Sequence, residues 1–342
     1  MDGETVHMDA TLIRANVSWE SMTTSHVEQV IEENHEKGDD DGEGPAPPRR
    51  RGRPRTREKK PKKRSTTDPD ATLTTSKKTY PMEPAYKQHT VADDKAGIIL
   101  EVEVTTGEEN EGARLMNLIE SVQNVTGIKV QVATADAAYA HPTNYQAAEE
   151  RKIEAVIPPQ RLHANPKRMP GFRFKYDALH KRLTCPNGKK LVKKKRKANG
   201  WEYRSSAKDC HHCPLRSRCF APSASCRSIV IVDGYEALLR ARRKKQQGWD
   251  KAWRELYKRH RWRVEGAHGE AKTQHGLRRA VRRGLDNVAI QVFLTAAVMN
   301  LKRLTAGLPV FVQPLKRFFS ILRLFLCCNL THNLRRLVMV NF

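Results

Sequence analysis

Residues 111–136 read EGARLMNLIESVQNVTGIKVQVATAD, and their reading decides the fold. Leu115, Leu118, Ile119 and Val122 recur at the three-to-four-residue spacing of one helix face. Gly127 supplies the stop, because glycine closes a helix in the left-handed conformation without steric cost. IKVQVATAD then reads as a strand that ends on Asp136. A lone acid at the end of a buried strand is awkward for packing alone.

Working outward, ETVHMDATLIRANVSWESM near the start reads as a buried strand followed by a polar turn, with Val6, Met8, Leu12 and Ile13 apolar and Asp9 among them. YKQHTVA and GIILEVEVTT, separated by DDK, read as an antiparallel hairpin. HPTNYQAAEERK is a short helix with Pro142 near its first turn, and EAVIP is one more short strand. From about 233 the chain reads as a helix, a break near Gly248, a long helix, and a final apolar helix from about 287 to 304. The order is strand, hairpin, helix, strand, helix, strand, insertion, helix, which defines an α/β fold. If the first strand pairs in parallel with 128–135, the right-handed crossover rule constrains how the helix between them packs. In α/β sheets, sites gather at the carboxyl ends of such strands, so this pairing sets Asp9 beside Asp136.

Two regions interrupt this pattern. Residues 25–84 pass from EENHEKGDDDGEG to PAPPRRRGRPRTREKKPKKR with no periodic apolar face, the composition of a disordered linker. Within it, Arg51, Arg53 and Arg55 in RGRPR resemble an AT-hook core, which lies in a narrow A·T minor groove where the potential attracts arginine. The plainer reading is a solvated tail touching phosphates. Residues 161–232 form a basic module with Cys185, Cys210, Cys213 and Cys219 spaced C–x24–C–x2–C–x5–C. A C–x2–C knuckle lets two thiolates reach one tetrahedral Zn2+, and the outer pair can close the site. His211 or His212 can replace one cysteine, and Cys226 is a fifth candidate. The cations between 189 and 197 suit contact with DNA. Cys327 and Cys328 fall in an apolar tail and pack only.

The chain has 342 residues, with 63 Lys and Arg against 38 Asp and Glu, a formal charge of +25. Such an excess points to a polyanionic partner, commonly nucleic acid. Seven cysteines without a disulfide-like framework suit a reducing compartment. No signal peptide opens the chain, and the most apolar segment, near 318–328, contains Arg323 and is too short to span a bilayer. A soluble, cytoplasmic protein with no membrane partner is expected.

The chemistry concentrates in Lys258–Arg279, KRHRWRVEGAHGEAKTQHGLRR, with seven Lys or Arg and only Glu265 and Glu270 as acids. At about 100° per residue, Arg261, Glu265 and Lys272 share one helix face, and Glu270 points elsewhere. That face can hold a metal between Glu265 and a phosphate, with cations on neighbouring phosphates. A bare Arg261–Glu265 surface pair would contribute only about 0.3–0.5 kcal/mol, too little to explain the shared face. Asp93 and Asp94 are rivals of Asp9, but they sit at a hairpin turn, where acids are common. His268 and His275 are read as helix- or DNA-facing.

Together HMDATLIRANVSWESM, YKQHTVADDKAGIILEVEVTTGEENEG, ATADAAYA and RVEGAHGEAKTQHGLRRAVRRGL resemble a DDE transposase of prokaryotic insertion sequences, over nearly all of residues 1–305. Arg261–x3–Glu265–x6–Lys272 matches the family's Arg–Glu–Lys spacing; the family's Tyr position falls on Lys258, one place from Tyr257. The resemblance implies an RNase H-like mixed sheet flanked by helices, built from 1–24, 85–160 and 233–305. It implies Asp9, Asp136 and Glu265 as catalytic carboxylates holding Mg2+ or Mn2+, with Arg261 and Lys272 on DNA. The implied activity is metal-dependent strand cleavage and strand transfer by a DNA 3′-hydroxyl, acting on element ends and target DNA as a possible homo-oligomer. Family members carry a helical DNA-binding region upstream of the first Asp, and residues 306–342 match nothing familiar. A truncated, inactive relic is therefore one alternative. A non-enzymatic DNA-binding protein using the arginine strip and the zinc module is another, and a nuclease without strand transfer a third.

Overall fold

The computed structural model describes residues 2–24, 63–75, 79–161 and 168–307. Its centre is β1 (Thr5–Arg14), which runs antiparallel to β5 (Glu83–Asp93) from Val6↔Asp93 to Arg14↔Ala85 and parallel to β7 (Val132–Ala135). β8 (Glu154–Val156) continues the parallel side. On the far edge of β5 lie β6 (Ile99–Thr106), along Tyr86–Ala92, and β4 (Thr72–Thr74), along Glu83–Ala85. β3 (Lys63–Ser65) and β2 (Met22–Thr24) extend the sheet past β4. The mixed sheet makes the α/β class plain.

The helix expected from Leu115, Leu118, Ile119 and Val122 is α1 (Leu115–Thr126); those four residues are its buried ones. It ends on Gly127 at φ 69°, whose N–H donates to the Gln123 carbonyl. With α2 (Pro142–Glu150) it covers one face of the sheet, packing on Val6, Met8, Val91, Ala133 and Ala135. Period-two alternation sends the other side chains of β1, namely His7, Asp9, Thr11 and Ile13, to the opposite face. There Ile13, Tyr86 and Val102 meet Ala267, Ala271, Val288 and Val292 of the C-terminal helices.

The linker expectation needs correction over 63–75 and 79–84. Ser65 and Asp68 are buried there, and they are held by hydroxyl and carboxylate bonds rather than apolar periodicity. Ser21 and Ser65 hydroxyls lie 2.9 Å apart, and the Tyr86 hydroxyl donates to both oxygens of Asp68. Polar locks of this kind leave no hydrophobic pattern. Arg51, Arg53 and Arg55 lie outside the described residues, as does the tail from 308, Cys327 and Cys328 included.

The cysteine-bearing insertion is a five-stranded antiparallel meander: β9 (Lys175–Asp177), β10 (Arg182–Thr184), β11 (Lys190–Lys197), β12 (Gly200–Arg204) and β13 (Ser228–Val232). Short helices α3 (Ala207–His211) and α4 (Arg216–Cys219) bring cysteines to its own core beside Phe174, Leu183 and Phe220. The chain returns through α5 (Tyr235–Gln247), turns at Gly248 and enters α6 (Lys251–His260), whose Asp250 N-cap accepts from the Trp253 N–H. A π turn over Arg261–Glu265 leads into α7 (Gly266–Gln274). The last helix, α8 (Leu285–Gly307), is by length and composition apolar enough to cross a bilayer. It packs Val288, Val292, Ala296 and Met299 into the second core. Asn300 clamps it to β6 through both the N–H and the carbonyl of Ile99, each at 2.8 Å.

Candidate active site

Parallel pairing of β1 with β7 ends at Met8↔Ala135, so Asp9 and Asp136 occupy the next step on adjacent strands, where strands are about 4.8 Å apart. Asp136 leaves the sheet as an N-cap, its Oδ1 accepting from the Ala138 N–H at 2.7 Å. Its carboxyl is pushed up to about 6, first by burial and then by the charges of Asp9 and Glu111, against the pull of that N–H. The pair thus forms a half-buried anionic site, and no cation is among the groups that shift Asp136.

Asp9 and Asp136 open into a groove of about 820 Å3 that also holds Glu111, Lys87, Lys272 and Arg278. Glu111 was not singled out in the sequence, because it opens a single 3-10 turn, Glu111–Arg114, ahead of α1 and belongs to no periodic apolar pattern. It pairs with Lys87 at 3.2 Å. Lys272 reaches across to β1, donating to Thr11 Oγ1 at 2.7 Å. Its pKa is lowered by burial and by Arg278, with Asp9 opposing. Carboxylates thus stand among cations, which suits a divalent ion together with a phosphate backbone.

Glu265 stands at the end of the π turn, 54% exposed, with Arg261 Nε 3.7 Å from its Oε1. The expected Arg–Glu face therefore exists, at the length of a loose pair. Glu270 points away, as its phase requires, to Lys302 and Arg303 of α8. Among the described residues, no three His, Cys, Asp or Glu side chains stand close enough to hold one ion. Asp9 and Asp136 thus share the groove with Glu111, while Glu265 is not among the residues lining it.

The π turn explains the misplaced tyrosine. A single π turn adds one residue to an α-helix, so eight positions from Tyr257 to Glu265 act as seven. The two residues then lie about 20° apart instead of about 80°. Consistently, the Tyr257 hydroxyl, its pKa raised chiefly by burial, senses the charges of Asp136, Glu265, Arg261 and Asp9. Its ring stacks on His260 at 5.6 Å. Lys258, by contrast, is 71% exposed and pairs with Glu255. The inserted residue thus brings Tyr257, and not Lys258, onto the helix face of Glu265.

Beneath the groove a polar network docks α6 on the sheet. Asp94 accepts from Arg259 Nε at 2.6 Å and contacts His7 Nε2 at 2.8 Å. Thr134 joins His7 to His260, at 2.5 and 3.2 Å. Burial lowers both imidazoles, His260 to about 4, so they are neutral near pH 7 and add no charge to the site. Asp93 accepts from the N–H groups of Gly3 and Ala96. The two hairpin acids are therefore structural. His268, read as helix- or DNA-facing, is buried on its helix against Thr90 and Asp9.

The insertion brings Cys185, Cys210, Cys213 and Cys219 around one small cavity of about 30 Å3. Burial pushes the Cys219 thiol up, and the other three cysteines add to the rise while Arg227 opposes it. The thiols converge without a closed ion cage, so the arrangement by itself does not support the expected zinc. Cys226 is turned to Arg204 Nε, 2.9 Å away, and His211 and His212 are exposed. None of these three lines the cavity.

Residues 184–305 match the family model for a transposase DDE domain, a span that runs from the cysteine module through Glu265 and Lys272 into α8. Over that span the chain is similar to the DDE-type transposases. That domain implies enzymes of the nuclease and transposase kind, with DNA as the partner. No curated protein matches the sequence.

Proposed function

We propose that the protein cuts DNA strands and joins them to new sites, as the transposase of an insertion sequence, with Asp9, Asp136 and Glu265 as the metal-holding carboxylates. The observation that carries this reading is the placement of Asp136, just past the end of β7, beside Asp9 on the adjacent strand β1, where burial and the charge of Asp9 raise Asp136 to about 6. The strand order β6-β5-β1-β7-β8, with β5 antiparallel to β1 and β7 parallel to it, supports an RNase H-like sheet.

Hard carboxylate oxygens fit Mg2+ or Mn2+; such ions supply charge stabilisation at the attacking and leaving oxygens of phosphoryl transfer. The chain's own residues do the rest. Lys272, Arg278 and Arg261 bind backbone phosphates, and Tyr257 lines the approach to the acids. The network under α6 fixes the helix that leads into the turn carrying Glu265. The test is Mg2+- or Mn2+-dependent cleavage and joining of DNA bearing the element's ends. Glu265→Gln should abolish both steps, Tyr257→Ala should weaken them at least about tenfold (about 1.4 kcal/mol), and Lys258→Ala should leave them within about twofold. DNA binding without metal-dependent cutting would favour a binding protein or an inactive relic. Cutting without joining would favour a nuclease.

We also propose that Cys185, Cys210, Cys213 and Cys219 close on a structural Zn2+, with the CPNGKK turn presenting Cys185, whose Sγ receives the Lys189 N–H at 3.3 Å. Thiolates in this number suit zinc. Elemental analysis of the purified chain should give about one zinc per protein, lost in Cys213→Ser. Absence of zinc from protein purified without chelator sinks the idea.

A further inference from the structure

We propose that His268 is the positioning residue for Asp9, holding one carboxylate oxygen so that the other is presented to the metal. This rests on the reading of Asp9 as a metal-holding residue. His268 lies on α7 with its side chain 8% exposed, over a directly opposed pair of residues, Asp9 of β1 and Thr90 of β5. Its Nε2 is 3.0 Å from Thr90 Oγ1, and its Nδ1 faces Asp9 Oδ2 at 3.6 Å.

The chain of contacts behind the ring sets its tautomer. Gln88 Nε2 donates to Thr90 Oγ1 at 3.0 Å. A hydroxyl that accepts this bond retains its own proton to give, and Nε2 of His268 is the acceptor in reach. With Nε2 accepting, the ring proton resides on Nδ1 and points at Asp9. The 3.6 Å separation exceeds a hydrogen bond, and a shift of a few tenths of an ångström closes it. Partners of this kind behind a metal ligand fix its orientation, and losing them costs about 10–100-fold in metal affinity or activity. The role needs an N–H donor in one place, which distinguishes it from a ring that only fills space.

Three substitutions separate the two. His268→Asn keeps a donor near the Nδ1 position, His268→Gln keeps one near Nε2, and His268→Phe keeps ring bulk alone. Mn2+ binding to the full chain is read by electron paramagnetic resonance of the free ion and by the Mn2+-induced rise in melting temperature. Half-saturation should move up at least about tenfold in the Phe and Gln variants and stay within about threefold in Asn. Thr90→Val, which leaves the ring in place and removes the hydroxyl, should weaken binding in the same direction. Phe binding as tightly as His, or Asn as poorly as Phe, overturns the proposal. Asp9→Ala is the control for the underlying reading: wild-type binding indifferent to Asp9 overturns both. Binding that needs Asp9 but not His268 overturns the positioning role alone.

Discussion

Asp136→Asn is expected to stabilise the metal-free protein at neutral pH while lowering strand cleavage by on the order of 10^3. The stability half follows from the raised carboxyl of Asp136, from 3.8 to about 6. A carboxyl that binds its proton more tightly in the folded state loses stability as pH rises. Below about pH 3.8 both states are protonated and nothing is lost. Between 3.8 and 6 the unfolded chain ionises first, and above 6 the penalty is complete. Two pK units correspond to about 3 kcal/mol; partial solvent access reduces this to roughly 1–2 kcal/mol. Asparagine removes the charge and keeps an oxygen for the Ala138 N–H. Without metal at pH 8, the variant should melt about 2–8 °C above wild type, and the gap should vanish near pH 4. The activity half follows because a metal's charge stabilisation is worth several kcal/mol, about a decade in rate for each 1.4. Adding Mn2+ should raise the wild-type melting temperature and leave the variant's unchanged. A variant melting below wild type at pH 8, or cutting DNA at the wild-type rate, contradicts the assignment.

The elements legible in the sequence are those that bury one continuous face. Leu115, Leu118, Ile119 and Val122 announced α1 because a helix against a sheet must repeat its apolar contacts each turn. The β5–β6 hairpin showed through its alternation and its acidic turn. The juxtaposition of Asp9 and Asp136 followed from one assumption, parallel pairing of their strands, which the register confirms up to Met8↔Ala135. The strands β2, β3 and β4 are three residues each, too short to display alternation. Their attachment comes from Ser65, Asp68 and Asp70, residue types that equally mark disorder.

The site was legible in its acids and less so in what surrounds them. Arg261, Glu265 and Lys272 gave a face because their spacing fits an α-helix. A π turn is invisible in such a spacing and left one trace, the tyrosine displaced by one. Glu111 enters the groove from a single 3-10 turn, too short for a period that would reveal direction. His268 stayed open between helix and DNA, because sequence phase alone does not say which face of that helix is buried. In the structure it is the one residue of that stretch that reaches both Thr90 and Asp9.

The segment taken for linker is fastened by the atom with the largest expected stability effect, the Tyr86 hydroxyl of β5. Tyr86 is fully buried, and its hydroxyl donates to the buried Asp68, with Oδ1 at 2.5 Å and Oδ2 at 2.6 Å, while accepting from the Gly284 N–H at 3.0 Å. The same N–H lies 3.3 Å from Asp68 Oδ1, and Asp70 accepts from the Leu285 N–H. Two acids therefore cap the start of α8, where unpaired N–H groups and the helix dipole favour negative charge. Gly284 suits this junction because its φ of 87° is one that side-chain-bearing residues seldom adopt. Tyr86→Phe removes one oxygen and leaves Asp68 buried with its main donor gone. Stripping a partner from a buried charge costs about 3–5 kcal/mol, which should appear as a melting temperature lower by about 6–20 °C. Asp68→Asn in the Phe background should restore part of the loss, because a neutral amide is cheaper to bury than a carboxylate. That recovery separates the buried charge from a packing defect, which Asn at position 68 could not repair. A loss below about 1 kcal/mol in Tyr86→Phe would mean that water reaches Asp68 and that residues 63–75 do not fasten α8.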